Sequence, residues 1–277
     1  MSAHRRRTAV VLAVCLLGVA ACGGSGGDAP AGEREVLTDP SGDPGLTGTL
    51  TVFAAASLSD VFAQLGERLE EQNPELDVQF NLAGSSALAA QLEQGAPADV
   101  FAAADEAQMA RVTDAGLAGE AELFASNRLM LAFPRDDPAD IEPTDTAGIP
   151  SIADLLDRDV TLAVCAPEVP CGAAAAEVLD RAGLGDVPDT YEDDVRAVLT
   201  KVVLGEVDAG LVYRTDVLSA GDQVGARAFR EAEAARNRYP VAVLDNAPNP
   251  EAAQAFVDLL LSDEGVRALV DAGFFEP

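Results

Sequence analysis

The sequence contains no tryptophan, a single lysine (Lys201) and a single histidine (His4), and aromatic residues fill only 5% of its 277 positions. Each scarcity closes off a class of chemistry. With few aromatic faces and a formal net charge of −29, from 47 acidic against 18 basic side chains, the chain has neither a stacking platform nor a basic stripe for nucleic acid. No nucleic-acid partner is expected. His4 lies in a segment that reads as a cleaved leader, and without it the chain has no histidine. That rules out Ser-His-Asp and Cys-His catalysis, histidine-ligated metals and imidazole pH switching.

The N-terminus points to a compartment. His4-Arg5-Arg6-Arg7 is a positive n-region, and residues 9–21 are an apolar run too short to span a bilayer, as in a secretory leader. The run ends Val19-Ala20-Ala21-Cys22, which resembles a bacterial lipobox. The resemblance implies a signal peptide over residues 1–21, cleavage before Cys22 and lipid on its thiol. A plain signal peptide with an incidental cysteine is the alternative. Cleavage removes three arginines and no acid, leaving a body still more acidic. Residues 22–47 are rich in Gly, Pro, Asp and Glu and lack apolar periodicity, the composition of a flexible tether spanning about 25–30 Å. A lipid-anchored protein on the extracytoplasmic face of the cell membrane is expected.

From Leu50 onward short apolar runs alternate with helical patterns, an α/β signature. Strands are expected at residues 49–54, 77–82, 98–102, 129–133, 161–165, 209–213 and 239–244. Helices are expected at 58–72, around Leu88 and Leu92, at 105–115, 170–182, from about 192 past Val203, at 251–261 and at 263–272. Four strands run directly into helix starts, at Ser57, at Ser85, at Cys171-Gly172 and at Asp194-Val195. Helix N-termini expose unpaired N–H groups and the positive end of the dipole, so each is a potential anion seat. Serine at such a start ordinarily caps its own helix, and Asp193 and Asp194 read as caps too.

Longer segments carry a resemblance. Residues 52–58 (VFAAASL), 84–88 (GSSAL) and 95–101 (GAPADVF) resemble the periplasmic molybdate-binding proteins of ABC importers. So do Val169-Pro170-Cys171-Gly172, Asp194-Val195-Arg196, Gly210-Leu211-Val212-Tyr213, Tyr239-Pro240-Val241-Ala242-Val243 and Gly273-Phe274-Phe275, in family order over nearly all of the body. The resemblance implies a two-lobed α/β fold of the type II periplasmic-binding-protein kind, with a mixed sheet in each lobe and the ligand cleft between them. One lobe would hold residues 48–129 plus 238–277, the other 130–237. Ligand contacts would be the hydroxyls of Ser57 and Ser85, the backbone amides of Cys171 and Val195, and the Tyr213 phenol. Implied partners are a membrane permease with its cytoplasmic ATPase, served by a monomer. No cofactor and no cation site are implied, since molybdenum would enter only within its oxyanion.

These residue types suit such a ligand. Molybdate is a dianion whose oxygens only accept hydrogen bonds, and hydroxyls and backbone amides can meet it with donors alone. Phosphate usually carries a proton at neutral pH and wants an acceptor, so a donor-only cage selects against it. Sulfate has molybdate's charge and shape but is smaller, and remains the runner-up ligand; tungstate should bind like molybdate. The acidic surface is not an obstacle, because charges beyond about 8 Å are largely screened at physiological salt. Cys165 and Cys171 remain as a pair in an oxidising compartment, at a spacing that is not a zinc pattern, and are expected to form a disulfide. Two other classes compete. A serine hydrolase using Ser57 or Ser85 would need a general base that the sequence does not offer, with Lys201 reading as a solvated surface residue. An adhesion or scaffolding lipoprotein would need no pocket.

Overall fold

A computed structural model describes residues 45–136, 139–141, 148–156 and 159–277. The expected signal peptide, Cys22 and the tether up to residue 44 lie outside the described residues. Among the described residues, no helix is long and apolar enough to cross a membrane.

Two five-stranded mixed sheets organise the chain. The first contains β1 (Thr47–Ala55), β2 (Glu75–Ala83), β3 (Val100–Ala102), β4 (Glu122–Asn127) and β10 (Asn237–Val243), in the order β2-β1-β3-β10-β4. The second contains β5 (Leu129–Pro134), β6 (Leu162–Cys165), β7 (Thr190–Glu192), β8 (Ala209–Tyr213) and β9 (Val224–Arg227), in the order β7-β6-β8-β5-β9. The chain passes from the first sheet to the second between Asn127 and Leu129, and returns between Arg227 and Asn237.

Parallel neighbours need crossover helices, and the sequence supplies them. β1 pairs in parallel with β2 and β3, linked through α1 (Ser59–Gln72) and α2 (Ser85–Glu93). β6 pairs in parallel with β7 and β8, linked through α5 (Pro170–Ala182) and α6 (Val195–Val203). Each sheet also takes one antiparallel strand into its interior: β10 lies between β3 and β4, and β5 between β8 and β9. Pro240 fits inside β10 because the register against β4 shifts between Tyr239 and Pro240.

Alternation along β1 divides the first sheet between two cores. Leu50, Val52 and Ala54 face α1 and α8 (Pro250–Leu261), where Phe62 and Phe256 meet edge to face at 5.2 Å. Phe53 faces the other way, into a core with Leu88, Phe101 and Met109 that α2 and α3 (Glu106–Asp114) cover. The second sheet builds its own core from Leu129, Leu131, Leu162, Val164, Val178, Val198 and Leu211. The buried Asp99 carboxylate is spent on structure, accepting the amides of Thr51 at 2.7 Å and Asn249 at 2.5 Å.

Differences from the sequence-based expectation are local. β4, β7, β9 and two short helices, α4 (Ile152–Leu155) and α7 (Arg214–Ala220), form where no element was expected. The helix expected from residue 192 starts only at Val195, because Thr190–Glu192 pairs with β6 as a strand. α3 and α9 (Asp263–Asp271) keep the expected positions.

A disulfide joins Cys165, at the end of β6, to Cys171, in the first turn of α5, with their Cα atoms 5.7 Å apart. The turn between them is tight. A Cβ on Gly172 would sit 1.8 Å from the Ala166 carbonyl oxygen, so only glycine fits there. Closing so short a loop contributes about 2 kcal/mol in the chain-entropy picture. Replacing both cysteines by serine should therefore lower unfolding stability by about 2 kcal/mol in denaturant titrations. Alkylation of the unreduced protein followed by mass spectrometry should leave Cys165 and Cys171 unmodified.

Candidate functional site

The strands of the two sheets end toward a common seam, and helix starts follow them. Ser57 lies in the single 3-10 turn Ala56–Leu58 between β1 and α1, and Ser85 is the first residue of α2. Cys171 follows Pro170 at the start of α5, Val195 opens α6, and Tyr213 ends β8. These five residues, expected from the sequence to share a ligand, line one small cavity between the sheets, along with Gly84 and Asp194.

The donors are available there. Neither serine caps its own helix, contrary to the ordinary role of serine at such positions. Ser57 Oγ instead lies 3.0 Å from the Tyr239 hydroxyl, and Ser85 Oγ accepts the Ala104 amide at 2.9 Å. Asp194 does act as a cap, accepting the amides of Arg196 at 2.8 Å and Ala197 at 3.0 Å and leaving that of Val195 unused. The Tyr213 hydroxyl is buried and makes no hydrogen bond of good geometry. Burial, reinforced by the nearby Tyr239, Asp105 and Asp216, pushes its pKa well above the ordinary phenol value, so it remains a neutral O–H donor.

Chemically, the cavity presents neutral donors and no cationic side chain. The Asp194 carboxylate is part of the lining too, with its Oδ1 accepting the Arg196 and Ala197 amides of α6. Hydroxyl and amide donors gathered in this way are able to hold an acceptor-rich anion. Lys201 is not a freely solvated lysine: its ammonium is 2.5 Å from Glu192 Oε1 and its side chain is largely covered.

Contacts cross the seam around the cavity. Gly84 packs so closely on the second sheet's side that a Cβ there would lie 2.5 Å from the Asp193 carbonyl oxygen. Beside the cavity, Arg196 reaches from α6 to Asp60 of α1 at 2.6 Å, and Ser219 of α7 donates to the same carboxylate at 2.7 Å. Burial raises the Asp60 pKa, but the hydrogen bonds from Ser219 and Arg196 outweigh it and bring the carboxyl below its usual value. On its other side Arg196 Nε faces the fully buried Asp216 carboxylate at 3.1 Å. Burial pushes Asp216 up to about 7, against the pull of Arg196 and of the Tyr213 amide it accepts. Sequence reading placed Arg196 within a motif but gave it no role, and passed over Asp60 and Asp216. An arginine directly after the helix-opening Val195 was the available signal.

Two outcomes follow from this geometry. Gly84→Ala should weaken ligand binding, measured calorimetrically, because the added methyl meets the Asp193 carbonyl across the seam. Because the Asp216 pKa is raised on folding, its linkage favours the folded state below about pH 4 and is lost as pH rises through about 7. Asp216→Asn should therefore gain stability relative to the unaltered protein between pH 5 and pH 8, as read by thermal melts at both values.

A model of the family described as bacterial extracellular solute-binding protein matches residues 50–275. The molybdate-binding protein ModA of Mycobacterium tuberculosis is 40% identical over 271 residues, which cover 98% of this chain and 97% of that protein. The periplasmic molybdate-binding protein of Azotobacter vinelandii superposes with a TM-score of 0.70 at 21% identity, over 82% of this chain and 99% of that one. The sulfate-binding protein SubI of M. tuberculosis, with a TM-score of 0.63 at 17% identity over 82% of this chain and 86% of its own, shares the fold. From its first core strand to its C-terminal aromatic residues, the chain belongs to the bacterial extracellular solute-binding protein family.

Proposed function

We propose that this protein captures molybdate outside the cytoplasm and delivers it to the permease of an ABC importer driven by a cytoplasmic ATPase. One observation carries the reading: Ser57, Ser85, Cys171, Val195 and Tyr213 bring hydroxyl and amide donors to one cavity that no cationic side chain enters. The 40% identity to a molybdate-binding protein across both chains supports the choice of anion. Tungstate, of nearly the same size and charge, binds in the same way. Sulfate is the alternative ligand, since a sulfate-binding protein shares the fold, and only the cavity's dimensions can discriminate against it.

The rest of the reading is built around that cage. Residues 48–129 with 238–277 form one lobe and 130–237 the other, closing on the anion as a monomer. A lining dominated by hydroxyl and amide donors fits a carrier that returns its ligand unchanged rather than an enzyme. The leader over residues 1–21 and the lipobox-like Cys22 supply a lipid anchor, with the tether of residues 22–47 holding the body outside the membrane.

Calorimetric titration of the purified protein with molybdate, tungstate, sulfate and phosphate tests the assignment. Molybdate and tungstate should bind far more tightly than sulfate, and phosphate should be weakest. Ser57→Ala, Ser85→Ala and Tyr213→Phe should each weaken molybdate binding by about 1.5–3 kcal/mol, the range for hydrogen bonds to a charged partner. Undiminished affinity in Tyr213→Phe would remove that phenol from the cage.

A further inference from the structure

Asn237 opens β10, where the chain returns to the first sheet, and its side chain is buried without lining the cavity. Its Nδ2 lies 3.0 Å from the Ala104 carbonyl oxygen and 3.3 Å from that of Pro170. These two neighbours settle the orientation of the amide. A carbonyl oxygen only accepts, so the group facing both must be the NH2, with one proton for each. The reverse orientation would set Oδ1 against two acceptors. Oδ1 is instead left buried without a hydrogen-bond partner among the described residues, so the amide is placed for its donors.

The two carbonyls belong to opposite walls of the cavity. Ala104 follows β3 of the first sheet, Pro170 opens α5 after β6 of the second, and both line the cavity itself. Each adjoins a cage donor. The Ala104 amide donates to Ser85 Oγ at 2.9 Å. The Pro170 carbonyl shares one planar peptide unit with the Cys171 N–H, so holding the oxygen holds the donor. That N–H is open to a ligand: the Gly172 and Ala173 amides turn back to the Val169 carbonyl, and the Cys171 amide makes no such bond. One primary amide outside the cavity thus links its Ser85 side to its Cys171 side.

Resting on the molybdate reading above, we propose that Asn237 is a specificity-determining positioning residue: by bridging the Ala104 and Pro170 carbonyls it fixes the separation of the Ser85 and Cys171 donors, and with it the size of oxyanion that the cage accepts. Molybdate and sulfate carry the same charge and the same kind of acceptor, so the spacing of the donors is what tells them apart. A spacing held by the clasp penalises the smaller ion, which cannot reach donors on both walls at once. Without the clasp the walls settle onto sulfate more easily, and the distance that suits molybdate is no longer enforced.

Asn237→Ala removes both bonds. Asn237→Thr supplies a β-branched residue that suits a strand, but offers one hydroxyl of shorter reach in place of two donors. In the unaltered protein and both variants, molybdate binding should be measured by calorimetry at pH 7, sulfate binding by displacement of molybdate, and melting temperatures alongside. Both variants should bind molybdate about tenfold more weakly, on the scale of one to two hydrogen bonds, while sulfate loses little, so that the molybdate-to-sulfate affinity ratio falls by about the same factor. Equal losses for the two anions, or an unchanged ratio beside a lowered melting temperature, would mean that Asn237 only holds the fold together and would overturn the proposal. Should Asn237→Ala fail to fold, Asn237→Thr decides by the same ratio. Failure of the unaltered protein to bind molybdate would instead overturn the functional reading on which the assignment rests.

Discussion

A buried hydrogen-bond donor without an acceptor is costly, and along the seam between the two sheets several such donors are held together. The Tyr213 hydroxyl has no well-aligned partner, and the Asp194 cap passes over the Val195 amide. None of these groups can relieve itself locally, because each is fixed by the element that carries it. Parallel pairing aims β1, β2, β6 and β8 at the same seam, and the short connections after them leave no slack for the donors to turn elsewhere. An anion with only acceptor oxygens is the complement of that arrangement, and such a cleft at strand ends is where open α/β sheets characteristically bind ligands.

Cations are spent elsewhere. Arg196 ties Asp60 to Asp216, and Arg128, Arg214 and Arg236 all stack on the Phe275 ring, with guanidinium carbons 4.9–5.1 Å from its centre. Arginine therefore clips segments together around the cavity and fastens the C-terminal end, rather than entering the cavity. This reconciles a formal charge of −29 with anion capture. Apart from Asp194 the groups lining the cavity are uncharged, so attraction of an anion there depends on oriented dipoles at short range, where the screened surface acids have little reach.

Much of this was legible in the residues. The apolar runs at 49–54, 161–165 and 209–213 became buried strands, and the helix starts read at Ser57, Ser85, Cys171 and Val195 meet at the cavity. The unforeseen elements are those whose identity depends on neighbours. β7 is three residues long and β9 reads Val-Gly-Ala-Arg, so neither has a pattern of its own; pairing with β6 and β5 makes them strands. The seven-residue α7 begins immediately after Tyr213, too short for a periodic signal. The serines were read correctly as helix openers, and the capping that serine ordinarily provides at such a start is absent at both. What turns their hydroxyls away from capping is contact distant in sequence, with Tyr239 and Ala104, which no local pattern encodes.

Strand order has a further consequence for assembly. The second sheet draws all five strands from one continuous stretch between Leu129 and Arg227, whereas β4 is joined to the rest of the first sheet solely by β10, more than a hundred residues later in the chain. A chain delivered from its N-terminus can therefore complete the second sheet while the first still exposes an open edge at β3. The half bearing both serines is the last to close, and the strand that closes it is the one that carries Tyr239.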